Sequence, residues 1–220
     1  MCMNERSLQG DFLWGQKNVM RCQIRYPQLE PGEMPGCEAR LSLHYTMYAR
    51  ARWERLVGAY YPRACASCRR LAPYGTFAPY DIRCEYTVMY CRGGYCSVFF
   101  DTYVRQGQQE LDCGRQSSTF SARDGGMIPL GRLFRRGCPY RAIILDTVRR
   151  EVARQCSGDP DAYYVDWPVL VGQLDEQNYY LADDGLVVYY PRRALGPSRS
   201  GMLSFLIPYQ AFGSGLIPEL

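Results

Sequence analysis

Between Asp81 and Phe134 the chain alternates. Ile82, Cys84, Tyr86, Val88 and Tyr90 interleave with Asp81, Arg83, Glu85, Thr87 and Met89. A period of two puts an apolar row and a mostly polar row on opposite sides of an extended chain, so the stretch predicts a half-buried strand. Arg92-Gly93-Gly94 follows. Glycine enters positive φ at little steric cost, so a tight turn is expected there. Residues 95–105 read as the return strand, Gln106-Gly107-Gln108 as a second turn and 109–122 as a third strand, closed by Asp124-Gly125-Gly126. The expected centre of the fold is a meander of three antiparallel strands. None of its residues announces a reaction.

Upstream the period changes. Leu41, Tyr45, Tyr48, Ala49, Trp53, Leu56, Val57 and Tyr60 fall at three- and four-residue spacings. They form the apolar stripe of a long helix from Cys37 to about Tyr61, with Pro62 as its expected stop and a resumption toward Arg70 as the alternative. Before it, Cys22 to Tyr26 reads as a short strand ended by Pro27. Downstream, Met127 to Phe134 reads as an apolar turn or one-turn helix pinned on the core. Pro139 opens a second helix, where its missing N–H costs little, and Ile144, Leu145, Val148, Val152 and Cys156 supply the buried stripe. Two aromatic or β-branched runs, Asn178–Ala182 and Leu186–Tyr190, flank Asp183-Asp184-Gly185 and predict a hairpin. Met202 to Ile207 reads as the last strand.

The fold class expected is α+β, with one antiparallel sheet (meander plus C-terminal hairpin) packed against two main helices. The chain reads as a single compact unit over 1–220. An N-terminal part at about 19–122 and a C-terminal part at about 123–210 share one core, and 1–18 and 211–220 are tails.

Charge and cysteine content narrow the function classes. Of 26 basic residues only Lys17 is lysine, and the arginines lie in scattered pairs among acidic residues. A nucleic-acid binder concentrates its charge on one face, so no nucleic-acid partner is expected. No run approaches the length of a membrane span. The first residues lack the basic-then-apolar pattern of a signal peptide, which points to the cytoplasm. The cysteines number 11, an odd count that cannot pair completely within one chain. Two readings stay open: reduced thiols in an intracellular protein, or export with a 65–68 or 91–96 disulfide. Cys65 and Cys68 form a lone CxxC and are weak metal candidates, because a zinc site needs a second pair. The one histidine, His44, falls on the long helix with no nucleophile in view, and no GxSxG is present. No cofactor and no catalytic set are expected.

Three segments together carry a resemblance. They are SVFFDTYVRQG with TFSARDGGMIPLGRLF, the helix at 139–156, and NYYLADDGLVVYYPRRALGPSRSGMLSFLIPY. Their order, with Tyr26-Pro27 and a long helix upstream, resembles the extracytoplasmic domain of the RsiV lysozyme-sensing anti-sigma factors. The same module resembles the N-terminal part of the polysaccharide deacetylase PdaC and many uncharacterised bacterial proteins. The likeness spans residues 22–210 and rests on apolar patterns and turns in sequence.

The resemblance implies a compact α+β module that binds a partner and catalyses nothing. In the anti-sigma relatives that partner is lysozyme, and the module lies outside the cytoplasm. The chain departs from them in having no transmembrane segment, sigma-binding domain or deacetylase domain, and in its excess of cysteine. The formal charge of +4 works against a steered encounter with a basic protein such as lysozyme. The expectation is therefore a protein or cell-wall glycan partner, with a carbohydrate-associated enzyme or accessory module, or an intracellular protein of unknown role, as alternatives. The expected surface is the hairpin and loop at 183–201, where Asp183, Asp184, Tyr189, Tyr190, Arg192 and Arg193 would offer charge and aromatic anchors. Oligomeric state is not legible.

Overall fold

The computed structural model describes residues 3–30, 32 and 36–217. Their main elements run β1 (Met3–Trp14), β2 (Lys17–Leu29), α1 (Glu38–Leu71), β3 (Tyr80–Arg92), β4 (Tyr95–Gln106), β5 (Gln109–Ser121), α2 (Tyr140–Cys156), β6 (Tyr179–Ala182), β7 (Gly185–Tyr190) and β8 (Leu203–Pro208). Two sheets form, with strand orders β1-β2-β3-β4-β5 and β6-β7-β8. The class is α+β, and the meander and the C-terminal hairpin both occur where the sequence pattern puts them.

Five features differ from expectation. Residues 3–14 are not a tail but β1, paired antiparallel with β2 from Met3↔Leu29 to Trp14↔Lys17. Strand β2 continues through Pro27, which pairs with Glu5 beyond the stretch shared with β3. Strands β2 and β3 pair in parallel from Met20↔Tyr80 to Ile24↔Cys84, so the hairpin sheet is separate and the larger sheet is mixed. Helix α1 runs on past Pro62 to Leu71. Pro62 and Gly58, whose carbonyl loses its helical partner, both lie on the exposed side, where the free acceptor is open to solvent. Of the expected C-terminal tail, Tyr209–Gly215 forms a helical turn that buries Phe212, and residues 218–220 lie outside the described residues.

The chain divides into two compact units, and the division crosses strands rather than falling near residue 122. The first comprises Met1–Tyr86 with Phe100–Cys113; the second comprises Thr87–Phe99 with Gly114–Leu220. In the first, α1 buries Leu41, Tyr45, Ala49, Leu56, Tyr60 and Ala64. Matching apolar positions come from β2 (Val19, Met20, Cys22, Ile24), from β3 (Ile82, Cys84) and from β4 (Phe100, Val104). Polar ties fix the helix further. Arg52 donates to Thr102 Oγ1 at 3.0 Å, and the Tyr60 hydroxyl donates to the Asp112 carboxylate at 2.7 Å.

In the second unit, α2 turns Ile144, Val148 and Val152 inward onto Leu181, Leu186, Val188 and Ile207 of the three-stranded sheet. Leu130 and Leu133, on the helical turn before α2, join this core. The other face of the sheet carries Tyr180, Val187 and Tyr189, which pack with Phe99 of β4. Strand β6 is therefore sandwiched, and the hydroxyls of Ser97 and Ser117 each bond to one of its outward backbone groups. Leu181 N–H donates to Ser97 Oγ at 3.0 Å, and Ser117 Oγ donates to the Tyr179 carbonyl at 2.5 Å.

Candidate functional site

The hairpin residues singled out from the sequence do not form one surface. Asp183 and Asp184 make the two-residue turn between β6 and β7 and are exposed. The Asp183 carboxylate lies 3.3 Å from the Arg92 guanidinium, with both side chains more than half exposed. Arg192 and Arg193 sit beyond the other end of β7, on the order of 20 Å away along the strand at about 3.3 Å per residue. Both arginines are engaged at Ser198: Arg192 Nε donates to its carbonyl at 3.0 Å, and Arg193 Nε donates to its hydroxyl. Arg193 holds this with a φ of 68°, in the left-handed region.

The two tyrosines are corrections. Tyr189 and Tyr190 are 1% and 3% exposed, so neither is a surface anchor. They point to opposite faces of β7. The Tyr190 hydroxyl donates to the Val171 carbonyl at 2.8 Å, and its ring meets Phe205 edge-on. The Tyr189 hydroxyl lies 3.1 Å from Ser117 Oγ. Burial pushes both phenols above their ordinary range. Sequence alternation did not reveal this, because β7 is covered on both faces, which erases the polar row that would have marked an outer side.

The sequence reading missed Arg115. Its guanidinium lies 3.7 Å over the Phe99 ring, within 6 Å of the Tyr180 and Tyr189 rings, and donates to the Tyr180 hydroxyl at 3.3 Å. The charge is held by aromatic faces inside the second unit and acts as a packing element.

Cys65 and Cys68 occupy successive turns of α1. Cys65 is half-buried, Cys68 is wholly buried, and the two thiols are unpaired. Among the described residues no three His, Cys, Asp or Glu side chains gather as a metal would require, so the pair lacks further ligands there. Burial also depresses the pKa of His44, whose ring sits edge-on to Tyr45 at 5.4 Å. Among the described residues no helix is long and apolar enough to cross a membrane.

The second unit does present a groove, of about 640 Å³, between α2 and β8. Thr147, Arg150, Glu151 and Arg154 line the helix side, and Phe205 and Leu206 line the strand side. Leu206 is 46% exposed, and the Arg150 and Arg154 side chains are each 72% exposed. Arg150 pairs with Asp146 at 3.0 Å, and Arg154 holds Glu151 through two bonds of 2.6 and 2.9 Å. The Arg154 fork, with help from Gln155, pulls the Glu151 carboxyl down to about 2. A guanidinium carries five donors, so each arginine retains capacity for a further acceptor.

A family model matches the same part of the chain. Residues 132–210 match the model of a family described as a protein of unknown function, DUF3298. That stretch holds α2, β6, β7 and β8, and with them nearly the whole groove wall. No curated protein matches the chain. Two crystal structures share the fold. A DUF3298 family protein from Pseudomonas aeruginosa PAO1 aligns with a TM-score of 0.59 at 13% identity, over 100% of this chain and 96% of the other. A member of the same family from Bacteroides fragilis NCTC 9343 aligns with a TM-score of 0.58 at 16% identity, over 99% of this chain and 94% of the other. At these identities the likeness is one of fold.

Proposed function

We propose that the chain is a non-enzymatic binding module whose partner, a protein or a cell-wall component, engages the groove between α2 and β8. The observation that carries this is the pairing of an exposed apolar residue, Leu206, with two exposed arginines across a sizeable open groove. Apolar contact rimmed by charge is the usual composition of a recognition surface. The resemblance to the RsiV-type module agrees with a binding role and makes lysozyme the first protein to titrate. The positive net charge argues for acidic partners beside it.

Calorimetric titration with lysozyme and with soluble peptidoglycan fragments tests the reading. Binding that is lost in Arg150→Glu/Arg154→Glu and kept in Asp183→Asn/Asp184→Asn supports the groove. Binding lost only in the turn variant moves the site to the hairpin. No heat with either ligand removes lysozyme and peptidoglycan as partners.

A further inference from the structure

The hydrogen-bond phase of the hairpin sheet identifies what kind of chain fits the groove. The Tyr189 N–H donates to the Asn178 carbonyl at 3.0 Å, and Tyr180↔Val187 and Ala182↔Gly185 are paired on the same side of β7. Residues 185, 187 and 189 therefore turn their backbone groups toward β6. Successive residues of a strand turn theirs to opposite sides, so Leu186, Val188 and Tyr190 bond to β8. Their partners are Ile207, Phe205 and Leu203. The backbone N–H and C=O of Ser204 and Leu206 then face away from β7, along the outer edge of the sheet. Strand β8 is terminal in the order β6-β7-β8. Among the described residues these outward groups meet no hydrogen-bond partner.

The two edges of this sheet are thus unlike. On β6, Ser97 accepts from the outward N–H of Leu181 and Ser117 donates to the outward carbonyl of Tyr179. On β8 the outward groups of Ser204 and Leu206 open beside the α2 flank. A row of donors and acceptors at strand spacing is satisfied by another extended chain. Pro208 has no N–H, which confines the added ladder to Ser204 and Leu206 and sets its register.

Resting on the reading of this groove as the binding surface, we infer that its occupant is an extended, acidic segment of a partner protein, added as a further strand along β8. Its alternate side chains reach Arg150 and Arg154. Asp146 and Glu151 are already committed to those arginines, so a carboxylate on the incoming strand meets guanidinium donors rather than free acid. A second copy of this chain is disfavoured by charge. A two-fold contact along β8 sets each arginine pair close to its own image.

The probe is an acetylated, amidated octapeptide alternating glutamate and valine, titrated into the intact chain by calorimetry and amide NMR. Saturable binding is expected, with slowed hydrogen exchange at the Ser204 and Leu206 amides. Leu206→Pro removes an outward N–H that the fold does not use, and should weaken binding by at least about tenfold. The same loss is expected with the wild-type chain when alternate peptide nitrogens are methylated, which keeps the test independent of any variant's folding. A lysine–valine peptide should not bind.

Absence of glutamate–valine binding, equal binding of the methylated peptide, or equal binding of the lysine peptide overturns strand addition. A concentration-dependent dimer lost in Leu206→Pro overturns the acidic occupant in favour of a second copy. A protein partner that loses affinity in Arg150→Glu/Arg154→Glu but not in Leu206→Pro removes strand addition while leaving the groove as the binding surface.

Discussion

The Arg115 guanidinium rests 3.7 Å above the Phe99 ring and donates to the Tyr180 hydroxyl, so a strand of the meander and a strand of the C-terminal hairpin are clasped through one cation. Replacing it with methionine keeps the apolar stem but removes the charge and the bond. Arg115→Met should cost about 1–2 kcal/mol in urea-induced unfolding, summing a cation–π contact and one hydrogen bond. A loss below a few tenths would show that the ring contact contributes only packing.

Ser97 is wholly buried and its hydroxyl serves two partners. Its Oγ lies 2.5 Å from Thr119 Oγ1 and accepts from Leu181 N–H at 3.0 Å. Ser97→Ala leaves a buried N–H without an acceptor, at about 1–3 kcal/mol. Hydrogen exchange read residue by residue should quicken first at Leu181. An unchanged Leu181 rate would refute the assignment.

Gly185 ends the hairpin turn, yet its φ is not in the left-handed region. What it requires is space, since an added Cβ would stand 2.3 Å from the Ile207 carbonyl oxygen. The obstacle is backbone, which cannot rotate aside. Gly185→Ala should destabilise by about 2–3 kcal/mol and shift β8 amide resonances. A silent alanine here would mean that β7 and β8 approach less closely than described.

The Glu151 carboxyl is held at about 2 against an ordinary 4.5, first by the Arg154 fork and then by Gln155. A carboxylate with a depressed folded pKa binds fewer protons when folded than when unfolded. Its contribution is complete above about pH 4.5 and disappears as pH falls toward 2. Acid titration followed by unfolding midpoint should therefore show a decline across that window which is shallower in Glu151→Gln. Coincident curves for the two proteins would refute the pairing.

Burial pushes the Cys22 thiol up to about 12 and raises Cys84 beside it. Thiolate is the reactive form, so both should resist iodoacetamide in the folded chain at mildly alkaline pH. Half-buried Cys65 should label ahead of them, and urea should abolish the difference. Peptide mapping that finds Cys22 modified as fast folded as unfolded would contradict the core described for the first unit.

Much of this fold is written in local pattern. The alternation at 81–90 and the glycine turns mark β3 to β5, and the spacing of Ile144, Val148 and Val152 marks α2, because β3 and α2 each have one wetter and one drier side and the turns bound the strands that follow. What escaped lacks that contrast or depends on distant partners. Strand β1 reads as polar because much of it is exposed, and only its register with β2 makes it a strand. Pro62 reads as a stop because sequence does not show that its helical face is solvated. Tyr189 and Tyr190 read as anchors because a strand covered on both sides looks the same as one with two aromatic outer faces. The groove was illegible for a related reason. Arg150 and Leu206 lie far apart in the chain, and only the packing of α2 on the sheet makes them neighbours.

The unlike edges of the hairpin sheet also set a limit on growth. Head-to-tail stacking needs a donor edge and an acceptor edge on every copy, and here one of the two is already occupied by serine hydroxyls from within. On the strand-addition reading, this sheet offers one open edge, so the expected stoichiometry is one guest per chain and the product a discrete complex rather than a fibre.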